Sequence, residues 1–146
     1  MPRALLPLCA LAALLLLALA AAAEPRFPAL TGRVVDEAGL LSPAAREGLA
    51  ERLAAHEQAT GQQVVVVTLA SLQGYPIEDF GYQLGRHWGI GEKDKDTGAL
   101  LIVAPRERQV RIEVGYGLEE RLTDAVSRAI IEQDILPLFR RGDFEA

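Results

Sequence analysis

Four consecutive valines, Val64 to Val67, constrain this chain more than any other feature. A β-branched side chain is stiff at χ1 and suits the pleated backbone of a strand better than a helix. A strand exposed on one face alternates apolar and polar residues, so an unbroken apolar run calls for cover on both faces. The run predicts the central strand of a layered α/β domain. Leu100-Leu101-Ile102-Val103 repeats the pattern later in the chain and predicts a second buried strand.

The segments around these runs read as helices and a hairpin. Ser42-Pro43 announces a helix, with serine as N-cap and proline at the first helical position, where its missing N–H costs nothing. That helix is expected to run to about Thr60. Leu49 and Leu53 face inward, Arg46, Glu47, Glu51 and Glu57 face outward, and Gly61 stops it. Val34-Val35 reads as a short strand before it. Pro76 opens a second helix, in which Ile77, Phe80, Leu84 and Trp88 recur at three- and four-residue spacings up to Gly89. Trp88 is thereby expected to be buried against the sheet.

After a polar loop from Gly89 to Gly98 and the Leu100 strand, Pro105-Arg106-Glu107-Arg108 is a turn. Val110, Ile112 and Val114 then alternate with Arg111 and Glu113, which predicts a hairpin strand solvated on its charged face. Gly115-Tyr116-Gly117 bends the chain, and Thr123 caps a last helix with Asp124 in its first turn. Pro137 is expected to kink or break that helix after Leu136. Helices separating the earlier strands and a tight hairpin joining the last two give an α/β fold. It is a three-layer α/β/α sandwich around a mixed β-sheet.

The first 23 residues are of another kind. After Met1, Pro2 and Arg3, positions 4–23 hold only alanine, leucine, Cys9 and Pro7, ending in Ala21-Ala22-Ala23 before Glu24-Pro25. A basic start, an apolar stretch and small residues ahead of a polar one make a secretory signal. The competing reading is an anchor that stays; Pro7 and the alanine-rich last third favour removal. Export across the cytoplasmic membrane is expected, to a periplasmic, extracellular or membrane-tethered location.

Residues 24–33 then form an extended lead-in, broken by Pro25, Pro28 and Gly32, and residues 34–146 form the domain. Losing Arg3 takes the formal net charge from −5 to −6, because residues 1–23 carry no acid. An acidic balance without clustered Lys and Arg excludes nucleic acid as a partner. The only cysteine leaves with the signal, so the exported domain has no disulfide and rests on its core.

Three stretches, in order and spacing, resemble one known family. The first is Val35-Asp36-Glu37-Ala38-Gly39-Leu40-Leu41-Ser42. The second is Trp88-Gly89-Ile90-Gly91, continuing through Lys93 and Asp96 to Gly98 and the following strand. The third is Val114-Gly115-Tyr116-Gly117-Leu118-Glu119 with Leu122-Thr123-Asp124. Together they resemble the TPM domain, named for a thylakoid lumen protein, a photosystem II repair protein and a nematode receptor modulator. The resemblance covers residues 34–146. It implies an extracytoplasmic domain, with calcium binding attributed to several members and acid phosphatase activity to plant members. Arg140-Arg141-Gly142-Asp143-Phe144 resembles the family's closing motif. A Gly-rich tail and a membrane helix often follow it, so a membrane tether through such a segment stays open.

The carboxylates are spread along the chain, but the expected topology gathers some of them. If the Val64 and Leu100 strands are parallel, the loop before Leu100 shares a sheet end with the residues after Val114. Asp94 and Asp96 are thereby brought towards Glu119 and Asp124. Carboxylates crowded into one volume repel unless a hard cation joins them, and oxygen ligands suit Ca²⁺ or Mg²⁺. The family's record makes Ca²⁺ the expected ion, with Asp96 and Asp124 as ligands and Asp94 or Glu119 contributing. The competing reading is a solvated acidic loop beside Lys93 and Lys95, with Asp124 serving the helix dipole.

Asp36 is expected at the opposite sheet end, as a second ion ligand or as the residue that orders the turn into Gly39. Arg108 and Arg111, with Arg106, are phosphate-binding candidates or simply charges on a turn and a solvated strand. His56 and His87 each lie near a helix C-terminus, which explains them without a metal. No P-loop, Gly-x-Ser-x-Gly elbow or His-Glu-x-x-His is present, so no catalytic residue is assigned. Two function classes follow. One is a calcium-binding assembly or repair module whose partner is an envelope or membrane protein. The alternative is a metal-assisted acid phosphatase acting on phosphomonoesters.

Overall fold

The computed structural model describes residues 25–90 and 97–146. The expected signal, residues 1–23, and the loop positions Asp94 and Asp96 lie outside them. In chain order the elements are β1 (Val34–Asp36), α1 (Pro43–Thr60), β2 (Gln63–Thr68), α2 (Ile77–Trp88), β3 (Gly98–Ala104) and β4 (Gln109–Val114). A 3₁₀ turn (Tyr116–Leu118) leads to α3 (Asp124–Ala129), a π-helical stretch (Ile130–Ile135) and α4 (Leu136–Arg140). The sheet order is β1-β2-β3-β4, with the first three strands parallel and β4 antiparallel to β3. The expected mixed sheet with helical layers is the fold.

Local chemistry sets the boundaries. Ser42 Oγ accepts the Ala45 N–H at 3.1 Å and Pro43 opens α1. Gly61, at φ 73°, ends it with an N–H donated to Glu57 O at 2.7 Å. Gly89, at φ 64°, ends α2 in the same way.

The register sorts the valine run onto two faces. Val65 pairs with Leu100 and Val67 with Ile102, so these four share one face; Val66, Thr68, Leu101 and Val103 share the other. On the first face Ile77, Phe80 and Leu84 of α2 close the main core against Val65, Val67, Leu100 and Ile102. Phe80 and Leu84 have no exposed surface, and burying a side chain of that size stabilises by about 1.5–3 kcal/mol. On the second face lie α1 and the C-terminal helices, with Leu49, Leu138 and Phe139 around Val66 and Leu101. None of the residues of α1 is fully buried. A groove of about 420 Å³ remains between α1 and α4.

Both parallel crossovers step across the sheet in the same direction, yet α1 and α2 cover opposite faces. The two crossovers therefore have opposite hands, and one is left-handed, where about 98% of such connections are right-handed.

Three local readings change. Arg111 and Glu113 are not on a solvated face: opposite Ile102 and Leu100, they lie on the α2 side, half-buried and ion-paired at 2.8 Å. The reason is Gly81, whose absent Cβ would stand 2.5 Å from Ile102 Cδ1 and 3.5 Å from Glu113 Oε2. A helix with glycine there approaches the sheet closely enough to roof the pair. Trp88 is half-buried rather than buried, because its indole N–H reaches out to donate to Pro28 O at 2.9 Å. The lead-in segment lies over this end of α2, with the Phe27 ring edge-on to Phe80 at 5.4 Å. Pro137 does interrupt the α geometry, but ahead of Leu136 rather than after it: a π-helical stretch occupies Ile130–Ile135, and α4 opens at Leu136 with the proline in its first turn. In a regular α-helix its ring would strike the carbonyl four residues back, and the widened π turn before it removes that conflict.

Candidate functional site

Asp36 ends β1 and Thr68 ends β2, side by side in register. The Asp36 carboxylate accepts the Leu40 N–H on Oδ1 and the Leu41 N–H on Oδ2, each at 2.9 Å. Thr68 Oγ1 donates to Oδ1 at 2.6 Å and itself accepts the Ala38 N–H at 3.0 Å. Burial alone would raise the Asp36 carboxyl. Hydrogen bonds from Thr68, Leu41 and Leu40 and the charge of Arg46 outweigh it and hold the group below its ordinary value. Gly39 takes φ 65° inside the loop so formed. The carboxylate orders the turn into α1.

Other acids at this end also hold backbone. Glu37 Oε1 accepts the Ala70 N–H at 2.9 Å, Glu107 Oε1 the Leu72 N–H at 3.0 Å, and Glu145 Oε1 the Ser42 N–H at 2.6 Å. The last bond brings the C-terminal tail onto the start of α1. These partners lie 33, 35 and 103 residues from their acids, so sequence reasoning missed them. The one local hint was Thr68, a polar residue closing a valine run.

At the opposite sheet end, the Gly115 N–H donates to Gly98 O at 2.8 Å, so the chain entering β3 and the chain leaving β4 meet. Leu118 is buried and anchors the 3₁₀ turn. Glu119 follows it, and Thr123 Oγ1 accepts the Val126 N–H at 3.2 Å to cap α3, with Asp124 in its first turn. Glu119 and Asp124 are both exposed. Asp36 is thus at one end of the sheet and Glu119 and Asp124 at the other. Among the described residues, no group of three His, Cys, Asp or Glu is assembled that could hold a metal ion.

The arginines also divide. Arg111 lies beneath α2 with Glu113. Arg108 stands in the hairpin turn at φ 56° and lines a pocket of about 470 Å³ on the other face, together with Arg140. The structure does not bring the two phosphate candidates together. His56 Nε2 is 3.0 Å from Gln62 Oε1, and the His87 ring stacks 4.9 Å from Phe27. No helix among the described residues is long and apolar enough to cross a membrane.

Comparison with known proteins agrees with this arrangement. The TPM domain model matches residues 34–146. The solution NMR structure of the N-terminal domain of a protein from P. gingivalis is 42% identical, covers 79% of this chain and 73% of its own, and superposes with a TM-score of 0.73. The N-terminal domain of the cg2496 protein from Corynebacterium glutamicum, also solved by NMR, is 21% identical over 84% of this chain and 76% of its own, with a TM-score of 0.61. That second likeness speaks to the fold alone. No curated protein matches the chain. With its three motifs spread over both ends of one sheet and the match running through the whole of residues 34–146, the chain belongs to the TPM domain family.

Proposed function

We propose that this protein is an exported, calcium-binding TPM domain that acts outside the cytoplasmic membrane as a binding, assembly or repair module for envelope or membrane proteins. The observation that carries the calcium reading is the antiparallel register, Ala99 opposite Val114. The chain entering β3 at Gly98 and the chain leaving β4, which leads on to Glu119 and Asp124, therefore meet at one sheet end. Glu119 and Asp124 are exposed carboxylates, the donor type a hard cation takes, and Ca²⁺ needs six to eight oxygens. Asp96 and Asp124 are the proposed ligands, with Asp94 or Glu119 completing the set. Asp36, whose oxygens already accept three hydrogen bonds, is the outlier.

An ion bound only by the folded state stabilises it by about 2.7 kcal/mol at a hundred times its Kd, and the melting temperature rises accordingly. Melts in calcium and in EDTA should therefore differ, and Asp96→Asn or Asp124→Asn should abolish the difference. Identical melts in the two buffers would end the calcium reading.

The alternative, a metal-assisted phosphatase, requires an arginine free to neutralise phosphoryl oxygens beside the ion. Arg111, the candidate for that role, is spent on Glu113 beneath α2, which favours the module. Phosphomonoester hydrolysis near or above about one turnover per second, lost in the Asp96→Asn/Asp124→Asn protein, would reverse that preference.

A further inference from the structure

The hairpin end of the sheet carries a pocket that the calcium reading does not use. Val103, Ala104, Val110, Leu136, Phe139 and Phe144 give it an apolar lining, and among the described residues Arg108 and Arg140 are the only charged ones in its walls. Neither guanidinium has an ion-pair or hydrogen-bond partner among the described residues. In a chain of formal net charge −5, a cavity walled by two cations and no acid runs against the overall balance. The neighbouring groove shows the contrast: Asp134 and Glu145 stand there with Arg52.

Two further observations bear on the occupant. Gln109 and Val110, which form one wall, begin β4, and among the described residues β4 is an edge strand that pairs only with β3. An edge strand presents unpaired N–H and C=O groups to any extended chain laid beside it. Arg108 also holds φ 56°, a left-handed backbone in which glycine or asparagine would be less strained. A long cationic side chain thus stands where the local conformation favours a smaller residue.

We propose that this pocket and the adjoining edge of β4 bind the free C-terminal end of an extended polypeptide. The terminal carboxylate lies between Arg108 and Arg140, the last apolar side chain enters the pocket, and the preceding backbone runs along β4. Charge-assisted hydrogen bonds from arginine to a carboxylate supply the orientation, and the apolar lining supplies the selectivity for a hydrophobic last residue. Inorganic phosphate would satisfy the two arginines and leave that lining unused. This site is separate from the proposed calcium ligands, so it stands or falls independently of them.

The test is affinity selection from a synthetic random heptapeptide library with free carboxyl ends, run beside the same library with amidated ends. The free-acid library should be enriched in peptides with an apolar last residue, and amidation of a selected peptide should weaken binding at least tenfold. Arg140→Ala and Arg108→Gly should each weaken it by a similar factor. Arg108→Gly is the informative variant, because it relaxes the turn: its melting temperature should hold or rise while binding falls. Equal enrichment of the two libraries, no enrichment over protein-free resin, or unchanged binding by both variants would overturn the proposal. So would displacement of a selected peptide by millimolar inorganic phosphate, which would reduce the pocket to a plain anion site.

Discussion

Thr68 gives its hydroxyl proton to Asp36 Oδ1 across 2.6 Å, and that bond ties the carboxyl ends of β1 and β2 together. The same hydroxyl oxygen accepts the Ala38 N–H, so one side chain serves both the strand end and the turn that follows. Thr68→Val keeps the shape and removes both bonds. It should destabilise the domain by about 1–3 kcal/mol, because a carboxylate oxygen and an N–H lose their partner together. Urea unfolding measures this, and an unchanged midpoint would show that water replaces the hydroxyl without loss.

Acid should weaken the fold through Asp36. Its carboxyl is held below the ordinary value of 3.8, so its contribution to stability is fully present above that value and is lost as the pH falls through the folded-state value. Melting temperatures taken from pH 7 downwards should fall in the wild type below about pH 4. Asp36→Asn should start lower and lose less over the same range. Parallel curves would assign the acid sensitivity to other carboxylates.

Two glycines in helices should respond to alanine in opposite directions. At Gly81 the new methyl would sit 2.5 Å from Ile102 Cδ1, in the main core, where overpacking costs about 1–3 kcal/mol. At Gly48, inside α1, nothing lies within 4 Å of the new methyl, and the better helix propensity should add about 0.5–1 kcal/mol. Thermal melts of the two variants decide the matter. A Gly81→Ala protein as stable as the wild type would mean that Ile102 Cδ1 swings aside and that the gain in helix propensity offsets the crowding.

The lead-in segment should prove part of the folded domain. Phe27 packs on Phe80 and Pro28 O accepts the Trp88 indole proton. Phe27→Ala should cost about 1–3 kcal/mol, less than a fully buried phenylalanine because Phe27 keeps some exposure. Native Trp88 emission should lie short of the water-exposed limit and shift to the red in this variant. Emission already at that limit in the wild type would contradict the packing.

Export should leave a protein that begins at or near Glu24, on the strength of the basic start and the alanine-rich close of the apolar run. N-terminal sequencing of protein recovered from the envelope or medium checks it. Intact Met1 in membranes would mean that the segment is retained as an anchor.

The sequence by itself determined the elements whose causes are local. Val64 to Val67 could only be a covered strand, Ser42-Pro43 a helix start, and Gly61 and Gly89 helix ends, because χ1 stiffness, capping and left-handed φ act within a few residues. From these a mixed sheet with a closing hairpin followed, while the parallel pairing of β2 with β3, and with it the separation of Asp36 from Glu119 and Asp124, was an expectation that the register then met. Tertiary structure decided what depends on distant partners. The alternation on β4 marked Arg111 and Glu113 as solvated until Gly81, on another element, let α2 lie over them. Asp36 was legible as a residue of the turn into Gly39, but its bond to Thr68, 32 residues away, was not. The faces on which α1 and α2 lie, and with them the unusual hand of one crossover, were equally illegible, because an amphipathic helix packs as well on either face of a sheet that is apolar on both. The Arg108–Arg140 pocket exists only where the last helix returns over the hairpin, a meeting that no local pattern in the chain encodes.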